Sequence, residues 1–170
     1  MELNFPERPP KPTALLLTGQ QRVLVRPYAY NLSKDTRIVV PAGFVWDQAS
    51  VPRVFWSFIS PFDLSPAAAL IHDWLYRWAG QIPEPSFQTQ RLHHPDEWIS
   101  VHREFTRREA EDIFQDSMRR SGIPLWRRRV ASRVTRLTGF RAFRLAVNPY
   151  DKDGVLESLG LHVPISWEIQ

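Results

Sequence analysis

Short apolar runs separated by turn-forming residues dominate the first part of the chain. Ala14-Leu15-Leu16-Leu17 is apolar throughout, residues 21–30 alternate loosely, and Thr36-Arg37-Ile38-Val39-Val40 is β-branched and closed by Pro41. This pattern predicts strands of an antiparallel meander with a turn at residues 31–35. The period changes at Ser65-Pro66, which reads as an N-cap followed by the first helical residue. Ala67, Ala68, Ala69, Leu70, Ile71, Trp74 and Leu75 then make a helix that is apolar around most of its circumference and belongs inside the domain. A second helix opens on the capping box Thr106-Arg107-Arg108-Glu109 and carries Ala110, Ile113, Phe114, Ser117 and Met118 as one stripe. Gly122 and Pro124 end it. A third helix is predicted over residues 124–138, with Trp126, Val130, Val134 and Leu137 inward and Gly139 as its cap.

Between these elements the pattern weakens. Residues 1–12 are rich in proline and read as an irregular arm. In residues 41–53, Gly43 marks a tight turn and Ser50 is placed to cap a short helical segment over residues 52–58, which brings Asp47 beside a run of aromatics. Residues 80–105, with Pro83, Pro85, Pro95 and the pair His93-His94, read as a long loop with a turn of helix near Glu97. The tail, residues 148–170, holds a polar turn and a last strand around residues 162–167, and is expected to return to the domain. The expected fold is a single α+β domain over residues 13–147, a small antiparallel sheet packed on about three helices.

The length of 170 residues suits one domain with a real core. The absence of cysteine excludes a disulfide scaffold, a thiol nucleophile and any cysteine-based zinc site. No apolar run approaches the ~20 residues that span a bilayer, and the N-terminus lacks the basic and apolar regions of a signal peptide. Synthesis and folding in the cytoplasm are therefore expected. The net charge of +4 is unevenly spread: Arg127, Arg128, Arg129, Arg133, Arg136, Arg141 and Arg144 lie between Gly122 and Asn148 with no acid among them. These form either a solvated helix face or a patch for an anionic partner. No nucleic-acid-binding motif accompanies them.

Candidate chemistry concentrates on the first helix. His72 and Tyr76 are four apart, Asp73 and Tyr76 three apart, so three polar groups converge within a buried helix. Side chains, water, a metal or a substrate must satisfy them. His93, His94 and His102 have the right chemistry for zinc but irregular spacing in a loop.

Two patterns stand together: Val-Pro-Ala-Gly-Phe-x-x-Asp-x-Ala-Ser-Val-Pro-Arg at 40–53 and Ala-Ala-x-x-His-Asp-x-Leu-Tyr at 68–76, followed by Arg108, Ala110 and Asp112. From about Val23 to Gly139 the chain closely resembles the bacterial and phage domain-of-unknown-function family 1353. The resemblance implies a phage context, with genes near tail and lysis functions, and hence a host-cytoplasmic protein that is also a candidate virion component. A weaker resemblance is to the His-Asp core of secreted phospholipase A(2), especially its small bacterial branch, which implies a metal-assisted hydrolase of ester or amide bonds acting on lipid or cell-envelope material. In that reading His72 is the general base, Asp112 holds its other ring nitrogen, and Tyr76 braces the acid pair. Asp73, with Asp47 as an additional carboxylate, would ligate calcium or another divalent metal. The Gly-rich calcium loop of that family is missing here. Ser50 and Arg53 belong to the Ser-Val-Pro-Arg turn, as structural or substrate-positioning residues. The competing reading is a non-catalytic phage virion, tail or assembly protein in which the same residues form a buried polar network. Its aromatic-rich or arginine-rich surfaces would then bind partner subunits.

Overall fold

A computed structural model describes residues 8–18, 21–47, 65–138, 142–151 and 154–169. Among these residues seven strands form two antiparallel sheets where the pattern predicted one. The first contains β1 (Ala14–Thr18), β2 (Gln21–Leu24) and β5 (Val45–Asp47) in the order β1-β2-β5. The second contains β3 (Tyr28–Asn31), β4 (Thr36–Val40), β6 (Phe87–Arg91) and β7 (His94–Ser100) in the order β3-β4-β6-β7. The division falls at Val25-Arg26-Pro27, where proline supplies no ladder donor and the chain leaves one sheet for the other. Alternation within β3 buries Tyr28 and Tyr30 while Ala29 and Asn31 remain half-buried.

Among the described residues the helices are α1 (Pro66–Arg77), α2 (Arg107–Arg120), α3 (Leu125–Thr138) and the single turn α4 (Val155–Ser158). Ser65 caps α1 by accepting the Ala68 N–H, with Pro66 in the first turn. The far end of α1 closes in a Schellman arrangement: the N–H of Gly80 bonds to the Leu75 carbonyl and that of Ala79 to Tyr76. Gly80 has φ +78°, and an added Cβ would lie 1.8 Å from the Phe105 carbonyl oxygen. Only glycine lets the segment that leads into α2 pass so close. The capping box of α2 is present in full, Thr106 with Glu109.

The main core joins both sheets to α1. Leu24, Ile38, Val40, Phe44, Trp46, Leu70, Ile71, Trp74 and Leu75 pack together, all shielded from solvent. A buried polar thread fixes α1 against β4: Trp74 Nε1 donates to Ser86 Oγ at 2.9 Å, and Ser86 Oγ donates to the Val39 carbonyl at 2.7 Å. A second cluster, Ala68, Phe114, Met118 and Ala131, sits where α1, α2 and α3 meet.

Three elements differ from the sequence expectation. Residues 87–100 hold the β6–β7 hairpin inside the stretch expected to be a long loop, with Glu97 in strand and not in a helical turn. β7 is an exposed edge strand, which tolerates Pro95 and shows no buried alternation, so its sequence carries little strand signal. Trp126, expected inward, is 52% exposed, while Ala131 and Val134 face the core. The tail contributes a bridge between Ala42 and Ser166 in place of a last strand, and its Trp167 packs on the core. The segment over residues 52–58, Gly139 and the Leu137 side chain lie outside the described residues.

The capping box generates a pH-dependent prediction. Hydrogen bonds from the Thr106 backbone and hydroxyl hold the Glu109 carboxyl below the ordinary value of 4.5. A depressed carboxyl stabilises the fold above its unfolded value, and that contribution disappears as pH falls through the folded value. Thr106→Ala should cost about 1 kcal/mol at neutral pH. The difference from wild type should narrow in denaturant unfolding below pH 4.5.

Candidate functional site

Helix α1 places its polar residues at the edge of the core. Its buried face is formed by residues 67–71 and 74–77, and His72 and Asp73 fall in the remaining, half-buried sector. The His72 ring stacks on Tyr76 with centroids 4.0 Å apart and touches Phe114 at 4.6 Å, so α1 and α2 hold it between two aromatic rings. Its Nδ1 faces Asp73 Oδ1 at 3.8 Å, an ion-pair distance too long for a hydrogen bond. Its Nε2 is buried and has no hydrogen-bond partner among the described residues. A buried polar atom without a partner is uncommon in folded proteins.

Asp73 is held from two directions. Its Oδ2 accepts the Asp47 backbone N–H at 3.2 Å and lies 3.7 Å from Arg77. Arg77 in turn donates to the Pro149 carbonyl at 3.2 Å and covers the Phe44 ring at 4.8 Å. The acid is thereby tied to β5 through the main chain of Asp47 and, through Arg77, to the tail.

The residue that sequence reasoning missed is Glu111. It is 3% exposed, accepts a short hydrogen bond from Tyr76 Oη through Oε1, and accepts from Thr135 Oγ1 at 2.9 Å through Oε2. One carboxylate therefore joins α1, α2 and α3. Burial, then the hydrogen bond to Glu111, raises the Tyr76 phenol pKa well above the usual tyrosine value of 10, while Arg107 opposes the shift.

Asp112, expected to hold the second nitrogen of His72, is exposed and makes no hydrogen bond or ion pair among the described residues. The helical period explains this. From Phe114, which touches His72, Glu111 is displaced by about 60° around α2 and Asp112 by about 160°. An acid three residues before Phe114 and seven before Met118 sits on the core stripe, and that spacing was the available signal.

Asp47 meets Asp73 through its backbone N–H, whereas Ser50 and Arg53 lie outside the described residues. His93, His94 and His102 are exposed, and His102 pairs with Glu104 at 3.9 Å. No three His, Asp or Glu side chains among the described residues gather to hold a metal ion. Among the described residues the two carboxylates, one of them turned to an arginine and a backbone N–H, fall short of the six to eight oxygens that calcium takes.

Comparison with known proteins places the chain in one family. Residues 22–133 match the family described as protein of unknown function (DUF1353), more than half of the sequence. The chain belongs to that family, and the match includes α1, α2 and the residues around His72 and Glu111. Neither a curated protein nor a solved structure matches it.

Removing the Tyr76 hydroxyl leaves the Glu111 carboxylate buried with one donor fewer. Tyr76→Phe should cost about 1–3 kcal/mol at neutral pH. A phenol whose folded pKa is raised stabilises the fold below its unfolded value of 10 and loses that contribution as pH rises through the folded value. Equilibrium unfolding should show wild type weakening more steeply above pH 10 than Tyr76→Phe.

Proposed function

We propose that this DUF1353 protein is a hydrolase of ester or amide bonds in lipid or cell-envelope material, working in a phage context with His72 as its base. The reading rests on one observation, the buried Nε2 of His72 left without a partner among the described residues on a ring whose Nδ1 side faces Asp73. With the ring proton on Nδ1, Nε2 presents a lone pair. It takes a proton from a water whose oxygen forms the new bond to the carbonyl carbon, and returns that proton to the departing alcohol or amine as the old bond breaks. Asp73 favours the imidazolium that forms between these steps. The stack on Tyr76 and the tilted contact with Phe114 hold the ring. No step is assigned to a metal.

A second reading is favoured by the Tyr76–Glu111–Thr135 network, whose carboxylate oxygens are both paired. In it the protein is a non-catalytic virion, tail or assembly component, made in the host cytoplasm, and the polar residues serve to join three helices. The arginine-rich α3 then meets phage structural proteins or an anionic envelope surface.

The two readings separate in one assay. Purified wild type and His72→Gln are incubated with phosphatidylglycerol vesicles and with isolated peptidoglycan, each with calcium and with chelator, and released products are measured. The hydrolase reading expects wild-type turnover that falls about 10²–10⁴-fold in His72→Gln at unchanged melting temperature. Wild type that releases nothing from either material under either condition supports the assembly reading.

A further inference from the structure

Around the axis of α3, over residues 125–136, those that face solvent fall on one arc of about 100°: Leu125, Arg129, Arg133 and Arg136, with Trp126 at its margin. Opposite them Ala131 and Val134 are buried, and Thr135 reaches Glu111. The arc therefore points away from the helix junction. Arg129, Arg133 and Arg136 have no ion pair among the described residues, and the chain carries no acid from Gly122 to Asn148. Three charges without an acid partner among the described residues thus lie along about 10 Å of helix. At its N-terminal end Leu125 is 51% and Trp126 52% exposed, and Arg127 lies 5.1 Å from the centre of the Trp126 ring.

We propose that this arc seats the protein on the surface of an anionic phospholipid bilayer. The arginines match phosphate headgroups in charge, and guanidinium binds phosphate through paired donors. Trp126 and Leu125 distinguish a bilayer from other polyanions. An indole prefers the headgroup boundary, and an exposed leucine gains by leaving water for acyl chains but gains nothing against a sugar-phosphate backbone. Among the described residues no helix is long and apolar enough to cross a membrane, so this contact is peripheral. The assignment concerns α3 alone and is independent of whether His72 performs chemistry.

The test uses the full chain and sedimentation with vesicles of equal parts phosphatidylglycerol and phosphatidylcholine, beside vesicles of phosphatidylcholine alone. The protein should partition onto the mixed vesicles and not onto the neutral ones, and should be released when salt rises from about 0.1 M to about 1 M, which shortens the screening length from about 10 Å to about 3 Å. The triple variant Arg129→Gln, Arg133→Gln, Arg136→Gln should bind about a hundred-fold more weakly, at about five-fold per arginine. Its melting temperature, matched to wild type, establishes that it folds. Trp126→Phe gives a second readout: the fluorescence difference between wild type and this variant should shift to the blue on mixed vesicles. Equal binding to neutral vesicles, unchanged binding by the triple variant, or displacement from vesicles by an equal charge of duplex DNA would each overturn the proposal.

Discussion

A carboxylate buried at the junction of three helices is the constraint on which the rest of this structure depends. Glu111 is nearly shielded from solvent, and a charge in that position is tolerated only when its oxygens are paired. Tyr76 and Thr135 supply the donors from α1 and α3. Satisfying one side chain therefore fixes how the three helices meet. Phe114 and Met118 fill the space beside it, and Phe114 reaches the His72 ring. The rotation of α2 that buries Glu111 is the same rotation that gives His72 an aromatic neighbour and turns Asp112 outward.

The other side of α1 is bound to the sheets by different means. Trp74 hydrogen-bonds to Ser86, Ser86 to β4, and Phe44 meets the Trp74 ring edge-on at 4.9 Å. Asp73 adds a polar link to β5, and Arg77 adds one to the tail. His72 stands between these two well-anchored sides, with one nitrogen toward an acid and the other unpartnered among the described residues. On the hydrolase reading this ring is the base. The same network, closed, would serve equally well as a helix clamp. The proposed chemistry thus turns on His72, while the shape of the site turns on Glu111.

Features encoded by a few adjacent residues were legible in the sequence. Ser65-Pro66 and the Thr106–Glu109 box announce the starts of α1 and α2 because capping is a local matter of free N–H groups. The family patterns around residues 40–53 and 68–76 were equally plain. Features set by distant packing were not. Nothing local distinguishes Glu111 from Asp112 except the phase of α2, and an acid on a core stripe becomes intelligible only when Tyr76 and Thr135 arrive from other helices. The β6–β7 hairpin was hidden because its outer strand is exposed on both faces and contains proline. Trp126 was misplaced because a large aromatic at helical spacing suggests a core, whereas α3 buries the small Ala131 and leaves the tryptophan outside.

The most direct test of this account compares equilibrium unfolding of Glu111→Ala with that of Asp112→Ala at neutral pH. Adjacent acids of similar chemistry then report which one the helices were built around. Loss of Glu111 should cost at least about 2 kcal/mol, since it strands the Tyr76 hydroxyl in a buried junction and leaves the Thr135 hydroxyl only the Ser132 carbonyl, while loss of the exposed Asp112 should stay within about 0.5 kcal/mol. A destabilisation at Asp112 equal to or larger than that at Glu111 would contradict the helix phase on which the whole arrangement around His72 depends.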